Sequence, residues 1–86
     1  FAAGYHNRGS AKAQSGDLPG AIADFSEAVR LKPDFADAWL LRGLAHADSG
    51  QRERGIEDVR QALKVARPGW PPRASAEDLL RKLGGK

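Results

Sequence analysis

His6 and His46 are the side chains best suited to ligate a transition metal, in a chain of 86 residues that has no cysteine. A protein metal site needs three or four ligands converging from short spacings. These two histidines fall on different predicted helices with no further His or Cys beside them, so surface or groove histidines are expected and no metal. The carboxylate pairs Asp24/Glu27 and Glu57/Asp58 have the types that general acid–base chemistry uses. Both fall on the second helix of a predicted pair, where solvated charges are the expectation. Ser10, Ser15 and Ser26 lack a His and an acid arranged to activate a hydroxyl. Gly16 and Gly50 begin neither a G-x-G-x-x-G nor a G-x4-G-K-[ST] pattern, so they are read as turn glycines rather than a phosphate cradle. The chain is expected to carry out no catalysis and to bind no cofactor.

What positions these residues is an internal repeat. At an offset of 34 positions Arg8 falls on Arg42, Gly9 on Gly43, Ala11 on Ala45, Ala13 on Ala47, and Ser15-Gly16 on Ser49-Gly50. Ile22 falls on Ile56, Asp24 on Asp58, Ala28 on Ala62, and Tyr5 lies over Trp39. A fixed period of this length marks an array whose units bury their apolar faces against one another. Within the first unit a helix is predicted over Ala3–Ser15, ended by Gly16. Asp17 caps the next, with Pro19 in its first turn. Its buried stripe is Ile22, Phe25, Ala28 and Val29, and Pro33 stops it. Asp34 is placed to cap a third helix over Ala36–Asp48, which carries Trp39, Leu40, Leu41 and Leu44. A fourth runs from about Arg52 to Ala66. Arg67–Pro72 reads as a stiff connector, and Ser75 with Asp78 as the capping pattern of a fifth helix over 75–83. The predicted fold is all-α, with two antiparallel helix-turn-helix units (2–35 and 36–69), a linker (70–74) and a terminal helix.

Bulk composition narrows the function. The net charge is +3 and the isoelectric point about 9.7. Residues 1–43 hold five basic and five acidic side chains, and 44–86 hold nine and six. That asymmetry is mild and forms no basic stripe interleaved with stacking aromatics, so nucleic acid is not expected as a partner. No apolar run approaches the roughly 20 residues of a membrane span. Phe1–His6 has neither the basic start nor the apolar core of a signal peptide. The compartment stays open, with a soluble cytoplasmic chain the first expectation. A first residue of Phe rather than Met points to a piece of a longer chain.

The chain resembles the tetratricopeptide repeat family. The pattern W-x2-L-G-x2-Y…A-x3-F…A…P is met by Tyr5, Arg8-Gly9, Lys12, Ala21, Phe25, Ala28 and Pro33. In the second unit Trp39, Arg42-Gly43, His46, Gly55, Val59 and Ala62 meet it. Arg8 and Arg42 replace the usual Leu, Lys12 and His46 the usual aromatic, and Arg52 stands where a Tyr normally covers the turn. Arg67 takes the place of the closing Pro, a slip that marks the end of the array and makes the fifth helix a terminal cap. Two units fall below the usual minimum of about three, so further repeats upstream or self-association are expected.

The resemblance implies a concave groove lined by the first helix of each unit. It would present His6, Asn7, Ser10 and Gln14, with Ala3 and Ala13, and then Asp37, Leu40, Leu41, Leu44 and Asp48, with Ala47. Asn7 sits where related domains hold a peptide backbone. The basic residues that grip a terminal carboxylate in chaperone-binding relatives would fall at Asp37 and Leu41, and they are absent. A scaffold for a protein or peptide partner, with a basic or apolar segment in the groove, is therefore expected. Alternatives are a self-associating module that stacks into dimers or filaments, and a regulatory appendage of an enzyme lying elsewhere in a parent chain.

Overall fold

A computed structural model describes residues 1–85 and gives five helices: α1 (Ala2–Gln14), α2 (Leu18–Leu31), α3 (Ala36–Asp48), α4 (Arg52–Val65) and α5 (Arg73–Lys82). Among the described residues there is no strand. Each helix packs on the next in sequence, so two antiparallel hairpins, α1–α2 and α3–α4, lie side by side and α5 closes against α4.

The turns repeat as closely as the sequence does. Gly16 and Gly50 have φ of 90° and 84°, the left-handed conformation that a side chain would oppose. Around them the amide of Asp17 donates to the Lys12 carbonyl and that of Gln51 to the His46 carbonyl, both at 2.8 Å. The glycine amides bond to the Ala13 and Ala47 carbonyls, which completes a Schellman closure at each helix end. Asp17 then caps α2 as expected, its Oδ1 accepting from the Gly20 amide at 2.9 Å.

The other two expected caps are corrected. Helix α3 begins after Phe35, and no side chain caps it. Phe35 packs against the Ala28–Val29–Ala38 cluster, and that burial puts the N-cap position at Phe35, one residue beyond Asp34. Helix α5 begins at Arg73, following Pro72, so Ser75 lies inside it. Two successive turns, from the Trp70 amide to the Arg67 carbonyl and from Arg73 to Trp70, carry the chain into helical geometry early. Proline's fixed φ is compatible with that entry.

The core is built mainly of alanine. Ala21, Ala28, Ala38, Ala62 and Ala76 are fully enclosed, and Phe25 and Val59 are the largest fully buried side chains. Phe25 and Val59 are 34 positions apart and meet matching glycines. A Cβ on Gly9 would stand 2.9 Å from the Phe25 ring, and one on Gly43 3.1 Å from Val59 Cγ2. Both would also crowd the Cβ of the repeat's aspartate, Asp24 or Asp58. Small residues at these crossings let the helices approach closely. Gly9 and Gly43 thus occupy matching environments in the two units.

Candidate functional site: a groove between the leading helices

Helices α1 and α3 flank a hollow of about 330 Å³, lined by Ser10, Ala13, Gln14, Leu18, Phe25, Leu41, Leu44, Ala45 and Asp48. Its floor is the Phe25 ring from α2 with the alanines, and its polar edge is Ser10, Gln14 and Asp48. Leu44 stays 39% exposed, an apolar side chain held in water beside a concave surface. Of the nine residues expected to bind a partner, the fold brings five together here: Ser10, Gln14, Leu41, Leu44 and Asp48.

The other four are placed differently. His6 is half-buried, its ring 4.9 Å from Phe35 and 6.0 Å from Phe25, with Nε2 enclosed and no hydrogen-bond partner among the described residues. Asn7 is exposed, its Oδ1 3.4 Å from His6 Nδ1. Leu40 is half-buried and outside the hollow. Asp37 lines a separate hollow of about 450 Å³ with Lys32, Phe35, Arg67 and Trp70, and there Trp70 Nε1 donates to Asp37 Oδ1 at 2.7 Å. The connector expected to be stiff therefore reaches back over 33 residues and binds a carboxylate at the start of α3.

A second constellation was not anticipated. Asp24 and Asp58, expected to be solvated, are 3% and 5% exposed. Arg8 meets Asp24 through Nε and Nη2, both at 2.8 Å, and Arg42 meets Asp58 through the same atoms at 2.7 and 2.8 Å. Such forked pairs are the strong form of the ionic hydrogen bond. Each guanidinium also lies over the aromatic that opens its unit, Arg8 at 5.5 Å from the Tyr5 ring centre and Arg42 at 4.8 Å from that of Trp39. Four residues after each arginine a further nitrogen approaches the same carboxylate. Lys12 Nζ lies 3.2 Å from Asp24 Oδ2, and His46 Nε2 lies 3.7 Å from Asp58 Oδ2. The departures from the family pattern at Arg8/Arg42 and Lys12/His46 are thus one device, repeated with Asp24 and Asp58. The signal was present in the sequence, because Arg and Asp recur together at the 34-residue offset.

Electrostatics follow from these contacts. The hydrogen bonds from Arg8, aided by Lys12 and opposed by burial, hold the Asp24 carboxyl down at about 2. Asp24 is shielded because Arg8 and Lys12 lie over it; Arg8 itself is 61% exposed. Burial pushes His46 below its ordinary value, against the pull of Asp58. No group of three or more His, Cys, Asp or Glu among the described residues is arranged to hold a metal. Nor is any described helix long and apolar enough to cross a membrane.

Comparison with known proteins agrees with this architecture. A family model described as TPR repeat matches residues 9–50, and one described as Tetratricopeptide repeat matches 36–68. Protein FlbA of Caulobacter vibrioides is 34% identical over 67 residues, which is 78% of this chain and 11% of that protein. Tetratricopeptide repeat protein 36 of Danio rerio is 30% identical over 59 residues, 69% of this chain and 32% of its own length. The chain spans between about a tenth and a third of these relatives. With two hairpins in 34-residue register, matching turns and glycine crossings, and family models over both units, the chain belongs to the tetratricopeptide repeat family, whose members generally act as non-catalytic protein-interaction repeats.

Proposed function

We propose that the chain is a protein-interaction scaffold whose α1–α3 groove takes an extended or helical segment bearing apolar side chains next to a basic one. Units 2–35 and 36–69 form the array, and α5 serves as its cap. The observation that carries this reading is the 330 Å³ hollow, with Leu41 and Leu44 on its wall and Asp48 at its edge. An apolar side chain entering it leaves water, worth roughly 1.5–3 kcal/mol, and a Lys or Arg beside it meets Asp48. Among the described residues no Lys or Arg lines the hollow, which disfavours a carboxylate-terminated ligand. Asn7, exposed on α1 beyond the lining of the hollow, has an amide able to bond a peptide backbone.

The test is partner capture by Asn7→Ala and Leu44→Ala, alone and combined, with helical circular dichroism as the control for folding. Both changes should weaken capture while the spectrum is retained. Asp48→Lys should shift preference from basic to acidic peptides in a fluorescence-anisotropy panel. Capture unaffected by all three would remove the groove from the function.

A further inference from the structure

The hollow between α1 and α3 sits where both leading helices end. Its α1 wall is formed by Ser10 to Gln14, the closing residues of that helix, and its α3 wall runs from Leu41 to Asp48, the final residue of α3. The carboxyl ends of two helices therefore converge on one mouth, and each carries partial negative charge. The basic side chains of the last turns do not offset it. Lys12 is engaged by Asp24, and His46 faces Asp58. Asp48 adds a full negative charge at a helix end where an acid opposes the dipole. Asp17 is occupied in capping α2 through the Gly20 amide, whereas Asp48, Gln14 and Ser10 have no hydrogen bond or ion pair among the described residues. Three unengaged acceptors thus share the lining of a hollow whose remaining walls are apolar.

Resting on the reading of this groove as the binding site, we infer that its ligand is held by a free amino terminus. The ammonium of the first residue lies among Asp48, Gln14 and Ser10, and that residue's aliphatic side chain fills the hollow. An ammonium has three donors and no acceptor, and the three polar side chains supply an acceptor each. The source of the charge follows from chain geometry. In an extended segment neighbouring side chains point to opposite faces, so a Lys or Arg beside an apolar anchor is carried away from the edge the anchor occupies. In a helical segment a same-face Lys reaches that edge only by ordering its long stem, which costs side-chain entropy. A first residue has its charge and its side chain on one carbon and meets neither obstacle. Capture of an amino terminus is a recurring mode of peptide recognition, and the sign of this mouth suits it.

The probes are amidated peptides titrated into the full chain and followed by the amide shifts of Leu44 and Asp48 in NMR spectra. One is Leu-Ala-Ser-Gly-Ser-Gly with a free amino terminus, the second is its acetylated form, and the third is acetylated Leu-Lys-Ser-Gly-Ser-Gly. The free peptide should bind saturably, acetylation should weaken it roughly tenfold or more, the share of a hydrogen-bonded charge, and the Lys should not restore the loss. Affinity should fall as pH rises through about 8, where an α-amino group gives up its proton, whereas a charge borne by Lys would persist to about 10. Asp48 is the charged side chain that faces the ammonium from α3, Ser10 and Gln14 of α1 do not titrate, and Lys12 and His46 are turned to their aspartates. Asp48→Asn should weaken the free peptide by a similar factor yet raise the melting temperature of the unliganded chain, because an acid leaves the carboxyl end of α3. A purely structural Asp48 would lower it. Equal affinity of the free and acetylated peptides, affinity that stays flat from pH 7 to about 9, or no saturable shift up to about 10 mM overturns the inference. The groove reading is decided separately: acetylated peptides that move the same amides, and lose that effect with Leu44→Ala, would keep the groove while rejecting the amino terminus.

Discussion

At the scale of residues, the most consequential side chains are two arginines standing where the family uses leucine. Each holds an aspartate on the following helix, 16 positions ahead, under nearly complete cover. Removing one member of such a pair strands the other. Arg42→Leu should therefore destabilise the fold by about 3–5 kcal/mol, although it restores the family residue. Replacing Asp58 as well, with Leu, should recover most of that loss, and guanidinium unfolding of the two single variants and the double closes the cycle. The sign of the pH dependence at Asp24 is fixed by its depressed pKa. The stabilisation is fully present above the unfolded value near 4 and disappears as pH falls through about 2. Asp24→Asn should flatten the acid limb of a melting-temperature profile between pH 4 and 2. For His46 the pKa is also lowered, here by burial, so the folded state favours the neutral ring. Stability should fall as pH drops from 6.5, and His46→Phe should remove that slope.

At the scale of elements, the two hairpins solve one packing problem in two ways. Ala21 sits at the α1–α2 crossing, and its counterpart in the α3–α4 crossing is Gly55. A Cβ there would stand 2.8 Å from the Gly43 carbonyl oxygen, which is backbone and cannot step aside. At the matching crossings the first hairpin buries the Phe25 ring and the second the smaller Val59. Gly55→Ala should consequently destabilise by about 1–2 kcal/mol, even though alanine is the better helix former by about 1 kcal/mol. Thermal melts of Gly55→Ala beside Gly4→Ala, which should gain stability, separate the packing effect from propensity.

At the scale of the whole molecule, the outer face of α4 is covered by the residues that follow it. Helix α5 packs on α4, and the preceding connector fastens Trp70 to Asp37 on the leading helix of the same hairpin. Removing residues 67–86 should expose the outer face of α4, a copy of the surface by which α2 grips α3. The shortened chain should then associate in a concentration-dependent way by analytical ultracentrifugation, and the full chain less. A shortened chain that stays monomeric at high concentration would show that α5 guards nothing adhesive.

The sequence alone determined what in this protein depends on counting and on the backbone freedom of single residues. Helix identity followed from apolar periodicity, the two turns from glycines that must adopt positive φ, the α2 cap from Asp17, and the repeat from a 34-residue offset that places Gly9 and Gly43 alike. Five groove residues were legible for the same reason, because each unit's first helix turns the same side inward. Tertiary structure decided whatever required knowing which distant side chain arrives nearby. Asp24 and Asp58 looked like surface charges because their arginines sit on another helix. Asp37 looked free because the indole that takes its oxygen is 33 residues away, and Asp34 lost its capping position to the burial of Phe35. Periodicity tells which face of a helix is covered, but the identity of what covers it is settled only when the chain has folded back on itself.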